Sequence, residues 1–102
     1  MSSVTGLFAC ELIPPRATFM EDMDDAERVV LARHTAYWNR AIERGKAVLY
    51  GPVFGPDGAW GLGVFHAADL KEARAFVDAD PAVAEGLAEC RLGRLVEGAR
   101  HE

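Results

Sequence analysis

The residues of this chain best suited to proton transfer are a histidine, His34, and an aspartate, Asp80. His34 lies on the apolar side of a predicted helix, and an imidazole is costly to bury unless it is paired or used. Asp80 directly precedes Pro81, where an aspartate commonly caps a helix. Two interpretations stay open: a hydrogen-bonded core histidine with a capping aspartate, or an acid–base pair in which the carboxylate orients the imidazole.

The cysteines and the other histidines predict no metal site. Cys10 and Cys90 are expected on the first and last strands, where they could face each other. We expect them to be buried reduced thiols without neighbours that would promote a thiolate. His66 and His101 have no histidine four residues away, and neither zinc-binding nor nucleotide-binding motifs occur. We therefore expect neither a metal nor a bound cofactor.

Two arginines and two tryptophans are weaker candidates. Arg91 and Arg94 are three residues apart on the last predicted strand, so they should point to opposite faces, and one could meet an anionic ligand. Solvated or interface arginines are the alternative. Trp38 and Trp60 are interpreted as anchors of the core or of a dimer interface.

Length and composition limit the class of protein. The 102 residues are enough for one domain, predicted to span residues 1–102 with a polar tail from about residue 97. A formal charge of -5 disfavours nucleic-acid binding. No apolar run approaches the roughly 20 residues of a membrane span, and no signal-peptide pattern is visible. We expect a cytoplasmic protein that binds no membrane.

The first half of the chain predicts a strand and a long helix. Residues 4–13 are rich in strand formers, and residues 16–23 are interpreted as a loop. A helix is predicted over residues 25–44, because Asp24 and Glu27 form a capping-box pattern ahead of apolar residues at helical spacing.

The second half predicts a hairpin, a shorter helix and a final strand. The hairpin strands are residues 47–54 and 60–67, joined by a Gly-Pro-Asp-Gly turn. Asp69 caps the next helix, and residues 87–96 form the last strand. The side chains that this helix should bury are Leu70, Ala73, Phe76 and Val77.

The resulting order, β-α-β-β-α-β, predicts an α+β ferredoxin-like fold, with both helices on one face of a four-stranded antiparallel sheet. Several strands are apolar on both sides, and an uncovered apolar sheet face exceeds what a monomer tolerates. We therefore expect a homodimer that pairs through the sheet face, with a pocket between each sheet and its helices.

Short motifs in a specific order make the chain resemble the YCII-like (YciI-related) family. They are Arg33-His34, Tyr37-Trp38, Gly45, Gly51-Pro52, Asp57-Gly58, Leu70-x-Glu72-Ala73, Asp80-Pro81 and Gly86-Leu87. The resemblance extends from about the first strand to Val96 and implies a dimeric α/β-barrel fold. It also implies that His34 and Asp80 form the active site. Ala82 stands where the family commonly has an aromatic residue, which changes the expected pocket wall.

The resemblance suggests three kinds of function. The first is a cofactor-free isomerase or lyase, resembling a YCII-like dehydrochlorinase, that performs His34/Asp80 acid–base chemistry on a small unsaturated carboxylic acid or lactone. The second is a non-enzymatic sensor or partner-binding domain whose pocket holds a small acid. The third is a haem-linked oxygenase, since other dimeric α/β barrels bind haem through a histidine.

Overall fold

A computed structural model of the protein describes residues 6–101. Residues 4 and 5, which begin the first predicted strand, lie outside the described residues. No helix within residues 6–101 has the length and apolar character needed to cross a membrane. The elements, in chain order, are β1 (Gly6–Ile13), α1 (Phe19–Asp22), α2 (Asp25–Glu43), β2 (Ala47–Gly55), β3 (Gly58–Ala67), α3 (Leu70–Asp78), α4 (Pro81–Ala84) and β4 (Glu89–Leu95).

The four strands form one antiparallel sheet in the order β2-β3-β1-β4. This arrangement confirms the predicted α+β class and the β-α-β-β-α-β order, with α1 and α4 as short additions. β2 lies at the sheet edge, as the proline at position 52 suggested, because proline cannot donate a ladder hydrogen bond. The register of β2 against β3 also shifts between Ala47 and Leu49.

The two faces of β1 have different environments. Phe8, Cys10 and Leu12 are buried on the face that the helices cover, with α2 on β2 and α3 on β3 and β4. The alternating residues on the other face, which include Leu7 and Ile13, remain partly exposed. The helices therefore occupy one face, and the opposite face is covered by no helix of residues 6–101.

α2 begins at a capping box and buries a narrow stripe. Asp24 accepts a hydrogen bond from the backbone of Glu27, whose carboxylate accepts one from the backbone of Asp24. Trp38 and Ala41 are fully buried. Ile42 is exposed because it lies about 100° past Ala41, at the edge of the stripe.

Two local predictions were wrong. The segment 16–23, predicted as a loop, contains α1, because the buried ring of Phe19 anchors it and Arg16 binds both Asp22 and Glu27. Leu70 is 60% exposed rather than buried, because it opens α3 before the helix reaches the sheet. The residues that complete the buried stripe of α3 are Ala73, Phe76 and Val77.

Candidate active site

The structure brings His34 of α2 and Asp80, which precedes α4, into direct contact. The Nδ1 atom of His34 lies 2.8 Å from Oδ2 and 3.0 Å from Oδ1 of Asp80. The side chain of Asp80 is 1% exposed and that of His34 is 13% exposed. The carboxylate of Asp80 is therefore almost completely buried, whereas a small part of the imidazole of His34 stays exposed.

Asp80 accepts two further hydrogen bonds from groups that can only donate. The indole Nε1 of Trp38 donates to Oδ2 at 2.8 Å, and the backbone N–H of Ala82 donates to Oδ1 at 2.9 Å. An ionised Asp80 satisfies these donors and a protonated Nδ1 of His34 at once. Asp80 thus caps α4 and also contacts the imidazole of His34.

The hydrogen bond at Nδ1 determines which atom of His34 can do chemistry. When Nδ1 carries a proton for Asp80, the lone pair of a neutral imidazole is on Nε2. Within residues 6–101, the hydrogen bonds of this ring all use Nδ1, while the side chain of His34 lines a cavity. The arrangement presents Nε2 as a base, or as an acid after protonation, next to a space that a small molecule can enter.

The cavity next to His34 is apolar and small. Its volume is about 210 Å³, below the roughly 300–1,000 Å³ of pockets for drug-sized ligands. Phe19, Trp38 and Tyr50 contribute to its lining, and so does the small side chain of Ala82. His34 is the one lining residue of ionisable acid–base type near neutral pH; no Lys, Arg, Asp or Glu lines the cavity among the described residues.

The segment between β1 and α2 forms part of the cavity lining. Pro14, Phe19 and Met20 line the cavity, and Arg16 holds this segment by donating to Asp22 at 2.7 Å and to Glu27 at 2.8 Å. The hydrogen bonds from Arg16 lower the pKa of the Glu27 carboxyl to about 2. The segment that sequence analysis treated as a loop is therefore a fixed wall of the site.

Trp38 contacts the candidate site in a way that the sequence did not predict. It was interpreted as an anchor, but its indole orients Asp80, and it lies one helical turn after His34, so both side chains leave α2 on the same side. Gly63 of β3 makes room for the ring, because a Cβ atom there would lie 2.4 Å from Cη2 of Trp38. Two features of the sequence could have indicated this contact. His34 and Trp38 are four residues apart, and Gly61 and Gly63 leave one face of β3 without side chains.

The other sequence candidates lie elsewhere. Arg94 pairs with Phe8 and Arg91 with Glu11 across β1 and β4, which places the arginines on opposite faces as predicted; neither lines the cavity. His66 pairs with Leu7, on the face away from the helices. Within residues 6–101, no cluster of three or more His, Cys, Asp or Glu side chains could hold a metal ion.

The protein thus has an antiparallel sheet with helices on one face, and a buried His–Asp pair beside an apolar cavity. The chain belongs to the YCII-related domain family, whose model matches residues 8–94. No curated protein matches the chain.

Two solved structures share the fold. One is 5-chloro-2-hydroxyhydroquinone dehydrochlorinase (TftG) from Burkholderia phenoliruptrix in complex with 2,5-dihydroxybenzoquinone, with a TM-score of 0.69 and 21% identity over 90% of this chain and 95% of that chain. The other is a mutant form of SnoaB, a cofactor-independent oxygenase from Streptomyces nogalater. Its TM-score is 0.51, with 15% identity over 94% of this chain and 95% of that chain. These similarities support the fold assignment.

Proposed function

We propose that this chain is an enzyme that works without a cofactor and moves protons on a small molecule bound beside His34. The observation that carries the proposal is the contact between Nδ1 of His34 and the sealed carboxylate of Asp80. This contact leaves Nε2 for the substrate and stabilises the imidazolium that forms when Nε2 takes a proton. Trp38 and Ala82 donate hydrogen bonds to the carboxylate and hold it in place.

The same pair of residues supports two reaction types. In an isomerisation, Nε2 removes a proton from a carbon next to a carbonyl and returns it to another atom of the resulting enolate. In an elimination, Nε2 takes the proton, the electron pair of the broken C–H bond forms a double bond, and a leaving group departs with its own electron pair. A positioned acid–base group contributes roughly 10²–10⁴-fold to either reaction.

The cavity narrows the substrate class. Because its lining contains no lysine or arginine among the described residues, a lactone or another neutral ring fits it better than a free carboxylate, whose charge would need a partner. Its volume of about 210 Å³ suits a single substituted ring. The similarly folded dehydrochlorinase is bound to a six-membered dihydroxyquinone, which supports a single ring as the size of the substrate.

The test is a screen for turnover and proton exchange with three sets of compounds: small unsaturated carboxylic acids, unsaturated lactones, and hydroxylated quinones. Ultraviolet absorbance follows net reaction, and NMR in D₂O follows exchange of carbon-bound protons when no net reaction occurs. We expect lactones or quinones to react and the His34→Ala protein to be inactive. Compounds that bind wild-type protein but show neither turnover nor exchange would replace the enzyme proposal with a ligand-binding role.

We also propose a homodimer that pairs through the sheet face opposite the helices. Leu49 and Leu95 on this face are 47% and 40% exposed. Val64 pairs with Leu49, and Leu62 lies on the same face of β3. We expect multi-angle light scattering at micromolar concentration to give twice the chain mass. Val64→Lys should shift the protein to monomer, whereas Ala36→Lys, on the exposed side of α2, should not. A monomeric wild-type protein contradicts the proposal.

A further inference from the structure

Cys10 and Cys90 form a contact that the proposed reaction does not use. Their Sγ atoms are 2.9 Å apart, although 80 positions separate them in the chain. Cys10 pairs with Leu92 and Leu12 pairs with Cys90 across β1 and β4, so the cysteines are diagonal neighbours on the helix-covered face. Both are free thiols. The fold thus holds two sulfurs together at the junction of its first and last strands.

The two thiols differ in accessibility and in acidity. Cys10 is fully buried, whereas Cys90 is partly exposed. The hydrogen bond between the two sulfurs lowers the pKa of the Cys90 thiol, and the charge of Arg74 acts in the same direction. That hydrogen bond and burial raise the pKa of Cys10. Sequence neighbours alone predicted nothing that promotes a thiolate at Cys90. The groups that do so, Arg74 of α3 and Cys10 of β1, are distant in sequence and near in space.

We propose that Cys10 and Cys90 are a redox site that forms a reversible disulfide within one chain when the protein meets a peroxide. The thiolate of Cys90 attacks one peroxide oxygen, the O–O bond breaks, and Cys90 becomes a sulfenic acid as hydroxide leaves. The sulfur of Cys10 then attacks the sulfur of Cys90, and the sulfenic oxygen leaves as water. The two thiols lose two electrons in total, and the peroxide is reduced to two waters.

The position of the pair gives the disulfide a structural consequence. It would join β1 to β4 and close a loop that contains nearly the whole described fold, which restricts the unfolded chain. Leu12 and Ala88, each two residues from a cysteine, line the cavity beside His34. Oxidation would therefore tie together two strands that lie under the candidate active site, without altering His34 or Asp80.

The first experiment treats the native full-length protein with hydrogen peroxide and follows intact mass and free thiols. We expect the mass to fall by two hydrogen atoms, both thiols to disappear, and a non-reducing digest to contain a peptide that joins Cys10 to Cys90. Dithiothreitol should reverse all three changes. Retention of both thiols, disulfides between chains only, or direct conversion to sulfinic and sulfonic acids would overturn the proposal.

Single-cysteine variants test the order of attack. In Cys10→Ala, Cys90 should accumulate as a sulfenic acid that reacts with dimedone, whereas in Cys90→Ala the buried Cys10 should react at least tenfold more slowly. Equal labelling of the two variants would overturn the assigned roles.

Peroxide should also raise the urea midpoint of wild-type protein but of neither variant; a lower wild-type midpoint would show that the native strands do not accommodate the bond. These readouts are independent of turnover, so they stand whether or not the enzyme proposal does.

Discussion

Replacing Asp80 with asparagine is expected to lower kcat/KM by about 10²–10⁴-fold for a substrate found in the screen described above. The amide has the shape of the carboxylate, but its NH₂ group donates where the carboxylate accepted. If that NH₂ faces Nδ1 of His34, which lies 2.8 Å from Oδ2 in the native protein, Nδ1 must become the acceptor and the ring proton moves to Nε2. The atom next to the cavity then has no lone pair to receive a substrate proton.

The same substitution should destabilise the fold by about 1–3 kcal/mol. Trp38 donates to one oxygen of Asp80 and Ala82 to the other, so in either orientation the amide nitrogen faces a donor. Urea denaturation measures this cost. The matched control is Asp78→Asn, two residues earlier, whose exposed carboxylate lies 3.7 Å from Arg74; it should change neither stability nor kcat/KM appreciably.

His34→Gln provides a second test if the Asp80→Asn protein does not fold. It removes the titrating group and leaves the carboxylate with a side-chain amide that can donate. We expect a loss of kcat/KM of similar size. Activity within twofold of wild type in a folded protein carrying either substitution would remove the His34–Asp80 pair from the mechanism.

The sequence predicted the fold well because local signals and the global arrangement agree. The capping box at Asp24 and Glu27, the Gly-Pro-Asp-Gly turn and the proline at the edge strand each have a physical cause that acts within a few residues. The segment 16–23 was mispredicted because α1 depends on contacts that no local pattern encodes: the buried ring of Phe19 and the bonds from Arg16 to Asp22 and Glu27.

The candidate site was predictable only in part. The apolar stripe of α2 and the Asp80-Pro81 pair indicated where His34 and Asp80 lie, and the family resemblance joined them. The hydrogen bond from Trp38 to Asp80 and the contact between Cys10 and Cys90 join residues 42 and 80 positions apart. Their geometry depends on how α2 and the sheet pack in three dimensions, which helical and strand periodicity do not specify.

Gly63→Ala is expected to destabilise the protein by about 1.5–4.5 kcal/mol. The new methyl group would meet Cη2 of Trp38 at 2.4 Å and Cζ2 at 2.8 Å, and overpacking of this kind costs about 1–3 kcal/mol. A displaced Trp38 would also weaken its hydrogen bond to Asp80, which is worth about 0.5–1.5 kcal/mol. The control is Gly98→Ala after β4, where no atom lies within 4 Å of the added carbon; urea denaturation should show a change near zero.

A double-mutant cycle with Trp38→Phe separates this contact from a general effect of alanine in β3. Phenylalanine lacks the outer ring atoms that approach Gly63, so the added methyl group has more room. We expect Gly63→Ala to cost less than half as much in the Trp38→Phe background as in wild type. Equal costs in the two backgrounds, to within about 0.5 kcal/mol, would show that the indole does not require the glycine. The expected coupling would mean that Gly63 contributes to the site through Trp38, because the missing side chain of β3 lets the indole reach Asp80, and Asp80 in turn holds His34.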